Sequence, residues 1–67
     1  MHEGIVTAIK LDKGYGFIGE VGAPDLFFHY SDLDGLQFDE QLQGQRVTFD
    51  IEQNARGPRA RNVRAAD

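Results

Sequence analysis

The chain has 67 residues, enough for one small domain, and its seven Lys+Arg against eleven Asp+Glu leave a net charge of −4. With no cysteine, neither disulfides nor a thiolate metal site can supplement the core, and a domain this small buries only about 60% of its unfolded surface. Forty per cent hydrophobic and 27% charged residues exclude a disordered tail, and the acidic balance, taken alone, argues against a nucleic-acid partner.

Short β-like runs follow one another along the chain. Gly4 to Ile9 is rich in β-branched residues, and Asp12-Lys13-Gly14 reads as a turn. Tyr15 to Val21 alternates, placing Tyr15, Phe17 and Gly19 on one face and Gly16, Ile18 and Glu20 on the other. Gly22-Ala23-Pro24-Asp25 breaks this run. Leu26 to Tyr30 follows, with Leu26, Phe28 and Tyr30 opposite Phe27 and His29. The segment from Ser31 to Gln45 is polar and irregular, with a helical turn expected around Phe38 to Leu42. Arg46 to Glu52 alternates strictly, with Val47, Phe49 and Ile51 inward. After Asn54 to Pro58, the last run is Arg59 to Arg64, with Ala60 and Asn62 opposite Arg61 and Val63. Five short strands predict an all-β fold, a compact five-stranded antiparallel barrel whose closure protects its edges.

Charge is unevenly spread. Residues 1–40 hold Lys10 and Lys13 against eight acids, whereas residues 41–67 hold five arginines against three acids. Arg56, Arg59, Arg61 and Arg64 fall in an acid-free stretch of nine residues. That stretch is either an ordinary solvated strand or an anion-facing patch; composition leaves both open. Most of the acid, in 32–40 and in turns, is expected to lie away from the outward rings.

Those rings pose the main question. With Ile18, Leu26, Phe28, Val47, Phe49, Ile51 and Val63 inward, the barrel is full, and Tyr15, Phe17, Phe27 and His29 point outward with Tyr30 and Phe38 close by. Such a patch is core if the faces are misassigned, a protein or dimer surface, or a stacking platform for single-stranded bases. Each base–aromatic stack contributes about 1–3 kcal/mol whatever the base.

Lys13-Gly14-Tyr15-Gly16-Phe17-Ile18 resembles the RNP1 element shared by cold-shock domains and RNA-recognition motifs. The latter would need two helices and a further aromatic where Glu20 stands. Asp25 to Ser31 (DLFFHYS) resembles the RNP2 element of bacterial cold-shock proteins, and Gly44 to Phe49 and Gly57-Pro58…Ala60…Asn62-Val63 are similar to that family's distal pattern. The resemblance spans Gly4 to Val63 at the length of a free-standing member, so that residues 1–67 are read as a single cold-shock-like domain. It implies an OB-type barrel that binds single-stranded RNA and DNA with little sequence specificity. Its implied roles are those of an RNA chaperone and a regulator of transcription and translation in cold or other stress; with no apolar run of about 20 residues and no signal-peptide pattern, a cytoplasmic location is expected. It also implies stacking by Tyr15, Phe17, Phe27, His29, Tyr30 and Phe38, backbone or base contacts from Lys13 and Arg56, and a base-edge hydrogen bond from Asp25. A monomer without cofactor, membrane partner or small-molecule substrate is expected.

The first strand departs from the family's GxVKWFN: Thr7 replaces the lysine, Ala8 the tryptophan, Ile9 the phenylalanine and Lys10 the asparagine. Loss of one stack and one cation predicts weaker binding, partly offset by Lys10 and the arginine-rich last strand. A barrel turned to protein interaction is the alternative. Catalysis finds no footing: His29-Tyr30-Ser31-Asp32 lacks a nucleophile elbow, and Ser31 is expected to cap the following turn. Two histidines without clustered carboxylates make no zinc site, and Gly14 and Gly16 lack the third glycine and helix of a dinucleotide fingerprint.

Overall fold

The computed structural model describes residues 2–66. Five strands form the fold: β1 (His2–Lys10), β2 (Tyr15–Gly19), β3 (Leu26–His29), β4 (Arg46–Asn54) and β5 (Gly57–Ala65). They close into a barrel in the order β1-β2-β3-β5-β4, with β4 pairing back onto β1. Three of the connections are short, so β1–β2, β2–β3 and β4–β5 pair antiparallel as neighbours in sequence. In the β1–β2 turn, the Lys13 and Gly14 amides both donate to the Lys10 carbonyl, and Gly14 takes φ 79°, the region that favours glycine. Gly16 answers a different need: a Cβ there would lie 2.6 Å from the Ala8 carbonyl oxygen and 2.8 Å from the Phe28 ring.

The alternation read from β2 and β3 holds. Gly16, Ile18, Leu26 and Phe28 are buried, while Tyr15, Phe17, Phe27 and His29 are only partly covered. The core comprises these apolar residues with Val6, Leu42, Val47, Phe49, Ala60 and Val63.

Several expectations are corrected. The barrel is not wholly antiparallel: β3 meets β5 parallel, through the single pair Phe27–Arg59. Ile51, expected inward, is exposed, because β4 pairs with β1 only as far as Phe49 and from Asp50 onward runs against β5 alone, as one side of a hairpin arm. The turn of this arm is tight, since Asn54 pairs with Gly57. β2 ends at Gly19, leaving Val21 fully exposed. Two bulges break the alternation. One falls between Val6 and Ala8, where β1 takes two steps against one on β2. The other inserts Asn62, at φ 54°, so that Ala60 and Val63 both face the core although three residues apart.

The long connection carries two 3-10 turns, Tyr30–Asp32 and Glu40–Leu42. The second matches the expected helical turn, and its Leu42 closes the end of the core. The first is capped by His29, whose Nδ1 accepts from the Ser31 amide; Ser31 is not the cap.

Asp32 is the one buried charged residue among those described. Its carboxylate accepts from the His29 amide at 2.9 Å, from Arg59 at 2.5 Å and from Arg61 Nε at 2.9 Å. These contacts tie the end of β3 to β5 where a single strand pair holds them, beside a parallel bridge from Leu33 to Val63. Removing the carboxylate leaves two arginines facing each other. Asp32→Ala should therefore destabilise the fold by about 3 kcal/mol, the low end for a broken buried ion pair because both arginines keep partial solvent access. Urea unfolding measures this; a loss below about 1 kcal/mol, the scale of a surface pair, would contradict it.

Candidate nucleic-acid interface

The outward face of β1, β2, β3 and β5 is ordered in rows by cross-strand register. One row runs Ala8, Phe17, Phe27, Arg59, each paired with the next. The next row toward the β1–β2 turn runs Lys10, Tyr15, His29. Tyr15, Phe17 and Phe27 form a triangle of rings with centroids 5.3–6.2 Å apart. Phe17 meets Tyr15 and Phe27 edge-on, at 88° and 74°. Edge contacts of this kind hold the rings in place without covering their faces.

A second group continues from the first. His29 and Tyr30 lie 4.2 Å apart between centroids, and Tyr30 reaches Phe38 at 6.2 Å. Tyr30 is 56% exposed. Phe38 has a double role, since it is half-buried and also packs edge-on against the core ring of Phe28 at 6.5 Å. All six rings singled out from the sequence thus fall on one continuous surface.

The charged candidates sit at the margins. Lys10 and Lys13 flank the β1–β2 turn beside Tyr15. Arg56 lies at the tip of the β4–β5 arm, where its amide donates to Asn54 Oδ1 at 2.9 Å. It lines a groove of about 280 Å³ with Phe27, Asn54, Gly57, Pro58 and Arg59. Asp25 stands at the opposite corner of the face, hydrogen-bonded to the Thr7 hydroxyl at 3.0 Å.

The arginine run resolves into a neutralised strand. Arg59 and Arg61 bind Asp32, Arg61 also binds Glu52, Arg64 binds Asp34, and on β4 Arg46 binds Glu3. Among the described residues, Lys10, Lys13 and Arg56 are the cations without a salt bridge. The acids are also closer to the rings than expected. Asp32 lies directly behind the face, and Asp39 and Glu40 border a groove with Phe38 and Leu11.

Reading the sequence placed Arg59 in the arginine-rich stretch but missed its position beside the rings. Its guanidinium lies 5.9 Å from the Phe27 centroid while its outer nitrogen is held by Asp32. The available signal was alternation: Ala60 inward obliges Arg59 outward, beside whichever strand β5 joins.

The sequence matches the family model described as the "'Cold-shock' DNA-binding domain" over residues 2–66. The chain belongs to this family. It is 43% identical to the cold shock protein ScoF of Streptomyces coelicolor, covering 98% of this chain and 100% of that one. It is 41% identical to the cold shock protein CspC of Bacillus subtilis, covering 98% and 100%, and 43% identical to the cold shock-like protein CspB of Escherichia coli, covering 96% and 92%. Cold-shock domains bind nucleic acid, and membership with six rings on the expected face favours that function over a barrel turned to protein interaction. No helix among the described residues is long and apolar enough to cross a membrane.

Proposed function

We propose that single-stranded RNA or DNA lies across the β1–β2–β3–β5 face, its bases stacking on Tyr15, Phe17, Phe27, His29, Tyr30 and Phe38. The observation that carries this reading is the continuous run of partly exposed rings, with unpaired cations beside Tyr15 and near Phe27. Lys10 and Lys13, near Tyr15, meet phosphates, as does Arg56 near Phe27. Asp25 meets a base edge.

Stacking explains how such a protein acts without ATP. A face that holds splayed bases competes with base pairing, so binding shifts RNA toward the single-stranded state in proportion to free protein. This suits an RNA chaperone with little sequence specificity that affects transcription and translation in the cytoplasm during cold or other stress. A monomer suffices, since the ligand needs only a surface.

Three measurements test the reading. In the double variant Phe17→Ala, Phe27→Ala, affinity for fluorescein-labelled heptathymidine should fall at least about 25-fold, each lost stack contributing about 1–3 kcal/mol. The circular dichroism spectrum should remain that of the parent, because neither ring belongs to the core. Retained binding, or no saturable binding by the parent at low salt, would sink the proposal and favour a protein partner.

Salt dependence reports the number of phosphates met. Three unpaired cations set a slope of log affinity against log salt no steeper than about −2. A slope near −4 would mean that the arginine ion pairs open to take phosphates. Finally, Ala8 stands beside Phe17 where the family carries tryptophan, so Ala8→Trp should tighten heptathymidine binding about 5- to 150-fold. A parent that binds as tightly as the variant would refute the role given to that position.

A further inference from the structure

Behind the ring surface, a single oxygen joins two of its rings to the far strand. The side chain of Asp32 is only 2% exposed. Its Oδ2 accepts from the His29 amide at 2.9 Å and from Arg59 Nη2 at 2.5 Å, while Oδ1 accepts from Arg61 Nε at 2.9 Å.

On the β3 side, the contact with the His29 amide is half of a reciprocal cap. His29 turns its Nδ1 toward Ser31, whose amide donates to it at 3.3 Å and whose hydroxyl lies at 2.9 Å. An amide can only donate, so Nδ1 is the acceptor and the ring carries its hydrogen on Nε2. The imidazole is thereby fixed in both rotamer and tautomer.

On the β5 side, Arg59 is held where it would not stay alone. Its Nε is buried and has no hydrogen-bond partner. A donor left unsatisfied in the interior is unfavourable, and a swing of the side chain into solvent would hydrate it. The ion pair with Asp32 opposes that swing and keeps the guanidinium 5.9 Å from the Phe27 centroid. Backbone pairing gives little help, because Phe27–Arg59 is the single pair of the β3–β5 ladder.

We propose that Asp32 is a positioning residue for nucleic-acid binding: from behind the face it sets the attitudes in which Phe27 and His29 meet successive bases. The role rests on the stacking reading given above. Both rings stand on one side of β3, two residues apart. Without the carboxylate, Arg59 leaves Phe27, the cap of the 3-10 turn loosens, and the ligand has to order both rings itself. Ordering one side chain weakens binding about 2- to 13-fold, so two give about 5- to 150-fold. Asp32 makes no contact with the ligand, since it is covered.

Asp32→Asn keeps the shape of the side chain without its charge. Labelled heptathymidine is titrated at a temperature where circular dichroism shows the variant folded, and affinity should fall about 5- to 150-fold. The same substitution in a Phe27→Ala, His29→Ala background should cost less than about twofold, because the rings it positions are gone. A purely structural carboxylate would cost the same factor in both backgrounds. Arg61→Gln also breaks a contact with Asp32 but leaves Arg59 in place. It should lower the midpoint of urea unfolding yet change affinity less than about threefold. The parent alone gives a second readout should Asp32→Asn not fold. In its heteronuclear NMR spectrum the Arg59 Nε–H should exchange slowly with water and stay in place when heptathymidine is added. Asp32→Asn affinity within about twofold of the parent, an equal loss in the ring-free background, or an Arg59 Nε–H in fast exchange would overturn the role. If the parent binds no strand, the stacking reading itself fails and the positioning role falls with it.

Discussion

The barrel depends on how β3 is joined to β5. Every other seam is a run of antiparallel pairs, but this one has a single parallel pair, Phe27–Arg59, and an isolated bridge from Leu33 to Val63. The buried carboxylate of Asp32 supplies what the ladder lacks. It binds the His29 amide on one side and Arg59 and Arg61 on the other, so that one charge fixes the register of two strands. Buried ion pairs add little net stability over a well-packed apolar contact. Their effect here is geometric, because a slip of β5 by one residue would exchange Arg59 for Ala60 and leave Asp32 unpaired.

That constraint reaches the outward face. Arg59 is held with its guanidinium against Phe27, and Phe27 in turn braces Phe17 and Tyr15. The proposed stacking surface is therefore set in advance by packing and charge behind it. Partly exposed rings that need no reordering to meet a base lose little entropy on binding. The same arginines that complete the barrel are consumed by Asp32, Asp34 and Glu52, which is why a basic last strand coexists with an interface that has few free cations. In the proposed binding mode the net charge of −4 acts on solubility and long-range steering, and stacking supplies the attraction.

Much of this was legible in the chain. Period-two alternation in β2 and β3 places Ile18, Leu26 and Phe28 inside and Tyr15, Phe17, Phe27 and His29 outside, because a strand cannot present neighbours to the same face. The RNP1-like and RNP2-like runs lie in those same two strands, so the local pattern and the site coincide. Alternation failed where the backbone left regular geometry. The bulges at Thr7 and Asn62 reset the inside–outside register, which brought Val6 into the core from an unassigned strand and buried both Ala60 and Val63. Ile51 fits the inward pattern, yet the strand carrying it has already passed its last pair with β1.

The sequence by itself thus determined the strands, the ring-bearing face and the family, all of which follow from interactions between residues near one another in the chain. Tertiary structure alone decided the parallel closure of β3 on β5, the pairing of each arginine with its acid, and the hydrogen bond from Thr7 to Asp25. Most of these join residues well separated in the chain, up to 43 apart in the case of Arg46 and Glu3. No local periodicity encodes such contacts; they exist because a small barrel has to close, and closing it decides which distant side chains meet.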